Sequence, residues 1–116
     1  MFKIDNNTIH ITRGDKATIN LTIEDYIFKS GDKIEFRVYN KGFLNKTPVL
    51  EKEVLIEEEK DNIDIDLTSK DTTIGEPLNR TVTYWYEIEL NNEQTIIGYD
   101  ETGAKLLFLY PEGVEK

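Results

Sequence analysis

Alternation of apolar and polar side chains is clearest at residues 81–90, where the sequence reads TVTYWYEIEL. Apolar or aromatic residues fill the even positions from Val82 to Leu90, and polar residues fill most of the odd ones. A period of two over this length predicts a β-strand with one buried face, and we expect it to be the central strand. The only tryptophan, Trp85, has the opposite phase, so it is buried only if a second sheet or a neighbouring subunit covers that face.

The same period of two recurs in shorter segments on both sides of this strand. The predicted additional strands are residues 8–12, 16–23, 33–40, 49–56, 62–67, 94–99 and 105–110, and a short extended start is expected at residues 2–4. Residues 49–56 and 62–67 are predicted to pair as a hairpin through the acidic turn 57–61. The last segment, KLLFLY, is the most apolar in the chain, and its unbroken run from Leu106 to Tyr110 predicts a strand covered on both faces.

Turn and cap signals separate these strands, and tight turns are expected at residues 5–7 and 91–93, where asparagine tolerates the left-handed backbone. Thr68 and Asp71 fit the capping pattern that opens a helix, so a single helical turn is expected there. Arg13, Gly14 and Asp15 form a tripeptide that integrins can bind in secreted proteins, but the sequence favours a tight turn between two strands. About eight strands at regular spacing, with one helical turn, predict an all-β fold: a single-domain antiparallel β-sandwich over residues 1–116, immunoglobulin-like or related.

Charge narrows the range of partners. The net charge is −9, and residues 51–66 alone carry eight acidic and two basic side chains. Such a surface repels phosphate backbones, so no nucleic-acid binding is expected. Charge runs of this kind are usually solvated faces, and docking of a basic partner is the main alternative. No apolar run is long enough for a membrane span or a signal peptide, so we expect no membrane association and synthesis in a cytoplasm.

Groups that carry chemistry are sparse. The chain has no cysteine and one histidine, His10, which lies on the polar side of its predicted strand. Asp61, Asp64 and Asp66 do not have the spacing of a calcium loop. We therefore predict no enzyme, no catalytic residues, no metal site and no cofactor.

Two apolar features remain without an obvious internal partner. Phe43 and Leu44 lie in a predicted loop, and Leu109 and Tyr110 end the last strand. Exposed apolar groups of this kind indicate a contact with another protein. These four residues are the predicted docking site, although Phe43 and Leu44 are equally consistent with a lid over the core.

Five blocks of sequence carry a resemblance to a known family. They are ITRGD (11–15), GDKIEFRV (31–38), LTSKDTTIG (67–75), YWYEIEL (84–90) and QTIIGYDETGAKLLFLYPEG (94–113). Together they resemble small proteins from the tail gene clusters of phages and prophages of low-GC Gram-positive bacteria. The opening block is also similar to the N-terminal β-sandwich domain of upper baseplate proteins. The resemblance implies a structural role and transfers no functional residue.

The function expected from this resemblance is that of a non-enzymatic component of a phage or prophage tail or baseplate. It would be made in the bacterial cytoplasm, reside in the virion and dock on other tail or baseplate proteins, with self-association left open. The first alternative is a carbohydrate- or host-surface-binding module, in which Tyr39, Trp85, Tyr99 and Tyr110 form a stacking platform if they share a face. The second is an acidic inhibitor of a host factor, based on residues 51–66.

Overall fold

The computed structural model describes residues 1–41, 47–77 and 79–112. They form nine strands and one helical turn, so the predicted all-β class is confirmed. In chain order these are β1 (Phe2–Asp5), β2 (Thr8–Thr12), β3 (Ala17–Leu21), β4 (Lys33–Asn40), β5 (Leu50–Leu55), β6 (Ile63–Leu67), α1 (Ser69–Thr72), β7 (Val82–Leu90), β8 (Gln94–Ile97) and β9 (Lys105–Tyr110).

Two sheets of unequal size make up the sandwich. The large sheet has the order β1-β2-β9-β7-β4-β5, with β8 pairing beside β9 on the same edge of β7, and the small sheet consists of β3 and β6. β7 is a central strand, as its pattern predicts, and it pairs with β4 along Ile34 to Asn40. The pairing is antiparallel except between β2 and β9, which run parallel from Ile9 and Leu107 to Thr12 and Tyr110.

The core lies between the small sheet and one face of the large sheet, which we call the inner face. The small sheet contributes the residues of β3 and β6 that alternate inward, such as Ile19 and Ile65, and the large sheet contributes residues such as Phe36, Ile88 and Leu107. All of these are at most 4% exposed. Burial of apolar area on this scale is the main stabilising contribution in a domain without disulfides.

The predicted hairpin between residues 49–56 and 62–67 is wrong. β5 pairs with β4 in the large sheet, whereas β6 pairs with β3 in the small one. The chain crosses between the sheets after Ile56, which is 3% exposed and anchors the start of the crossing in the core. Acidic residues 57–61 therefore connect two layers. Alternation identified both strands correctly, but it contains no information about which strand is the partner.

Local turn and cap predictions are confirmed. Asn6 and Asn7 have φ of 53° and 66° in the β1–β2 turn, and Asn91 and Asn92 have φ of 56° and 58° in the β7–β8 turn. Asparagine tolerates this left-handed conformation, which tight hairpin turns of this type require. Thr68 is the N-cap of α1 and forms the reciprocal capping box with Asp71.

The turn at residues 13–15 is also confirmed as a structural turn. The amide of Asp15 donates to the carbonyl of Thr12, and Gly14 has φ of 88°. The Arg13 guanidinium lies against the domain, donating to the carbonyls of Ile74 and Gly75 at 3.0 and 2.8 Å. Only 11% of the Arg13 side chain is exposed. The tripeptide is therefore held by the fold, and its arginine is not presented for binding.

Candidate docking surface

The second face of the large sheet, which we call the outer face, carries the most distinctive surface of the protein. The small sheet packs on the inner face, and no described element packs across the outer one. Strand register places two groups of side chains there, and Tyr99, from the connection after β8, joins them through its contact with Trp85. The aromatic patch consists of His10, Tyr39, Trp85, Tyr99, Leu106, Phe108 and Tyr110. The carboxylate cluster consists of Arg37 with Glu35, Glu51, Glu87 and Glu89.

At one end of the aromatic patch, β2 and β9 bring three rings together. His10 stacks on Phe108, its direct partner across the parallel pair, with ring centroids 5.4 Å apart and planes at 25°. The His10 Nδ1 and the Tyr110 hydroxyl share a hydrogen bond of 2.8 Å. The predicted polar position of His10 is thus correct in phase, but its neighbours are aromatic. All three side chains remain partly exposed.

At the other end of the patch, Trp85 lies between direct partners on both neighbouring strands. Tyr39 is opposite Trp85 on β4, and Leu106 is opposite it on β9. Tyr99, from the connection after β8, packs beside the indole and is 65% exposed. No described sheet buries Trp85, which is half-buried by its neighbours alone.

The carboxylate cluster is organised by a single arginine on β4. Arg37 donates to Glu35 at 2.7 Å, Glu51 at 2.9 Å, Glu87 at 3.2 Å and Glu89 at 2.8 Å. The bond to Glu89 is the largest cause that raises the pKa of Arg37 above its ordinary value. One guanidinium therefore neutralises one of four carboxylates, and the cluster keeps a net charge of −3. The alternating pattern places these residues outward, but only the β5-β4-β7 order brings them together.

Tyr39 joins the aromatic patch to the carboxylate cluster. Its hydroxyl donates to Glu87 Oε2 at 2.9 Å, and Glu87 also accepts from Arg37. Burial, together with this carboxylate, raises the pKa of Tyr39 to about 12. The two groups of residues are therefore one continuous surface, apolar over β9 and β7 and acidic over β7, β4 and β5.

The four predicted docking residues have different outcomes. Phe43 and Leu44 lie outside the described residues, and their role stays a prediction. Leu109 is 3% exposed and faces the core, so its assignment to a docking site is wrong. The apolar run KLLFLY alternates after all: Leu107 and Leu109 point inward, which places Tyr110 on the outer face. No described element covers the outer face of β9, so the prediction of a strand covered on both faces is not met.

The acidic residues of 51–66 do not form one surface. Glu51 lies on the outer face of the large sheet, whereas Asp64 and Asp66 lie on the exposed side of the small sheet, bonded to Asn20 and Thr18. A cleft of about 560 Å³ with an acidic lining opens between the ends of β5 and β6. The inhibitor hypothesis rests on residues 51–66, and five of their acidic side chains, Glu57, Glu58, Asp61, Asp64 and Asp66, line this cleft, so it stays a prediction.

Among the described residues, no group of three or more His, Cys, Asp or Glu side chains is placed to hold a metal ion. Glu87 and Glu89, neighbours on one strand face, both bond to Arg37 and lie on an open sheet surface. In the described part of the chain, no helix is long and apolar enough to cross a membrane. Comparisons with protein-family models, curated proteins and solved structures found no match.

Proposed function

We propose that this protein is a non-enzymatic structural component of a phage or prophage tail or baseplate, and that it docks on other tail proteins through the outer face. The observation that carries the proposal is the aromatic patch, a contiguous group of rings on a sheet face that no described element covers; all of them are at least partly exposed except Tyr39, which is 7% exposed. Aromatic residues and arginine are enriched in protein interfaces, and contiguous exposed apolar surface marks a contact site. The tail or baseplate assignment rests on the sequence resemblance.

Copurification tests this function directly. Particles are purified from a host strain that expresses the tagged protein during particle production, and its copy number is measured by quantitative mass spectrometry. We expect a fixed ratio to a major tail protein. Presence in the lysate without incorporation into particles would refute the proposal.

A matched pair of variants then tests the surface. Tyr99→Ala removes an exposed ring from the aromatic patch, whereas Ile27→Ser changes a 49% exposed apolar residue outside the large sheet. If the outer face docks, Tyr99→Ala lowers the copy number and Ile27→Ser does not. Incorporation of Tyr99→Ala at the same copy number as Ile27→Ser and the wild type would show that docking uses another surface.

Carbohydrate binding is the second candidate, because several aromatic rings lie on one sheet face. Trp85, Tyr99 and Tyr110 are partly or largely exposed on the outer face, whereas Tyr39, on the same face, is only 7% exposed. Rings that stack on sugars are normally accompanied by polar groups, which the carboxylate cluster supplies here. A glycan array with no hits, together with unchanged Trp85 fluorescence during titration, would exclude this candidate.

A further inference from the structure

We propose that the partner presents an arginine flanked by apolar side chains, and that this segment lies across the boundary between the aromatic patch and the carboxylate cluster. The inference rests on the docking function proposed above and names the chemistry of the partner. Its basis is the hydrogen-bond inventory and the charge of the outer face.

The carboxylate cluster has more acceptors than donors. Arg37 uses Nε, Nη1 and Nη2 to reach Glu35 Oε1, Glu51 Oε2, Glu87 Oε2 and Glu89 Oε1. The second oxygen of each of these carboxylates has no hydrogen-bond donor among the described residues. A guanidinium has five N–H groups and matches such oxygens in geometry and charge. A partner arginine would therefore complete a network that Arg37 alone leaves at −3.

The boundary between the two groups is suited to an arginine in particular. Trp85 and Glu87 are two positions apart on the same face of β7, a separation of about 6–7 Å along the strand. A guanidinium over the indole can reach the unused Oε1 of Glu87, which combines a cation–π contact with a charge-assisted hydrogen bond. Apolar side chains beside that arginine would then contact Leu106 and Tyr99.

Charge argues against a second copy of the chain as the occupant. Another molecule carries the same net charge of −9 and the same excess of carboxylates on this face. Bringing two such faces together opposes like charges, which disfavours association. A neutral sugar would leave the charge of the cluster uncompensated, and the Trp85 and Tyr99 planes are tilted by 52°, so they do not form one flat platform. A protein segment with an arginine between apolar side chains would contact the rings and neutralise carboxylates at the same time.

The test uses the full chain and three synthetic probes. The first is a peptide with the core Leu-Arg-Leu-Arg-Leu between Gly-Ser flanks, the second replaces each arginine by glutamate, and the third is a neutral oligosaccharide. Binding is followed by the fluorescence of Trp85, the only tryptophan. We expect the arginine peptide alone to bind, and its affinity to fall as salt rises from ~50 to ~300 mM because exposed charges are screened.

Two charge variants separate site binding from general attraction to an acidic protein. Glu51→Gln with Glu87→Gln removes two charges from the carboxylate cluster, whereas Asp64→Asn with Asp66→Asn removes two from the small sheet. The first pair should weaken binding about tenfold and the second by less than about twofold. Should the first pair unfold the domain, Tyr99→Ala serves in its place, because Tyr99 is exposed and its loss also removes a flank of the site.

Several outcomes would overturn the inference. Equal weakening of binding by both charge pairs would mean non-specific attraction to an acidic protein. Binding of the glutamate peptide would mean that apolar contact alone is enough. A response to the oligosaccharide alone would favour a sugar as the ligand. Absence of any peptide binding would also refute it. If Tyr99→Ala lowers particle incorporation while the arginine peptide does not bind, the docking function stands and only the partner chemistry fails. Site-specific peptide binding without any effect of Tyr99→Ala on particle incorporation would mean that the partner chemistry stands and the docking function fails.

Discussion

Trp85 and Tyr99 lie against each other on the outer face, with ring centroids 6.1 Å apart, although they belong to a central strand and to the connection after β8. Tyr99 thus shields one side of the indole while remaining largely exposed itself. The pair shows how the outer face is built: side chains of the large sheet protect one another, and no described layer lies above them.

The first prediction compares Trp85 with a core residue. Trp85→Ala should lower the free energy of unfolding by about 1–2 kcal/mol, because it removes partial burial and a ring contact. Phe36→Ala, at a fully buried position, should cost about 3–5 kcal/mol by leaving a cavity. Chemical denaturation of both variants gives the two values. Equal losses would mean that Trp85 is part of the core in solution.

The second prediction concerns Arg37. Arg37→Gln should destabilise the fold by about 2–3 kcal/mol, because four carboxylates would then face one another without a cation. Removing two of those charges, Glu87→Gln and Glu89→Gln, in the Arg37→Gln background should recover part of the loss. Denaturation midpoints over this mutant cycle measure the coupling. Strictly additive effects would contradict the network.

The third prediction is a loss of stability in acid through Asp32. This carboxylate is 5% exposed and accepts hydrogen bonds from the Tyr26 hydroxyl, the Lys29 amide and Asn91. The bond from Tyr26 is the largest cause that lowers the pKa of Asp32 below 3.8. A lowered folded-state pKa means that the stabilisation is complete above about pH 4 and is lost as pH falls through the folded pKa.

Thermal melting between about pH 7 and 2 tests this dependence. Asp32→Asn should be less stable than wild type near neutral pH and should lose less stability on acidification. Tyr26→Phe, which removes the donor but keeps the carboxylate, should also flatten the profile. Parallel profiles for all three proteins would assign acid sensitivity to other groups.

The fourth prediction uses a pair of glycines with left-handed backbones. Gly75 has φ of 67°, and an added Cβ would lie 2.9 Å from the Tyr84 hydroxyl oxygen. Gly31 has φ of 96°, with nothing within 4 Å of such a Cβ. Gly31→Ala should therefore show only the backbone cost, about 1–2 kcal/mol, and Gly75→Ala should cost more. Tyr84→Phe in the Gly75→Ala background should relieve part of the excess; no relief would rule out the steric clash.

Local features of this fold could be predicted from sequence because their causes are local. The alternation at 81–90 places Tyr84 and Tyr86 inward and Trp85 outward, and the Thr68 cap follows from its own side chain. Strand partners are different, because pairing depends on the whole sheet. The 49–67 hairpin failed for this reason, and the Arg37 cluster became visible only with the β5-β4-β7 order. Leu109 was misassigned because an unbroken apolar run hides its alternation.

The parallel contact between β2 and β9 has a consequence for how the chain reaches this structure during synthesis. In the sheet order, β9 separates the first hairpin, β1 and β2, from β7. The opening hairpin therefore has no neighbouring strand to pair with in the large sheet until residues 105–110 have left the ribosome. Contacts so distant in sequence slow folding, since a long loop must close before they form. We expect a nascent chain that lacks β9 to keep its first hairpin undocked and accessible to chaperones.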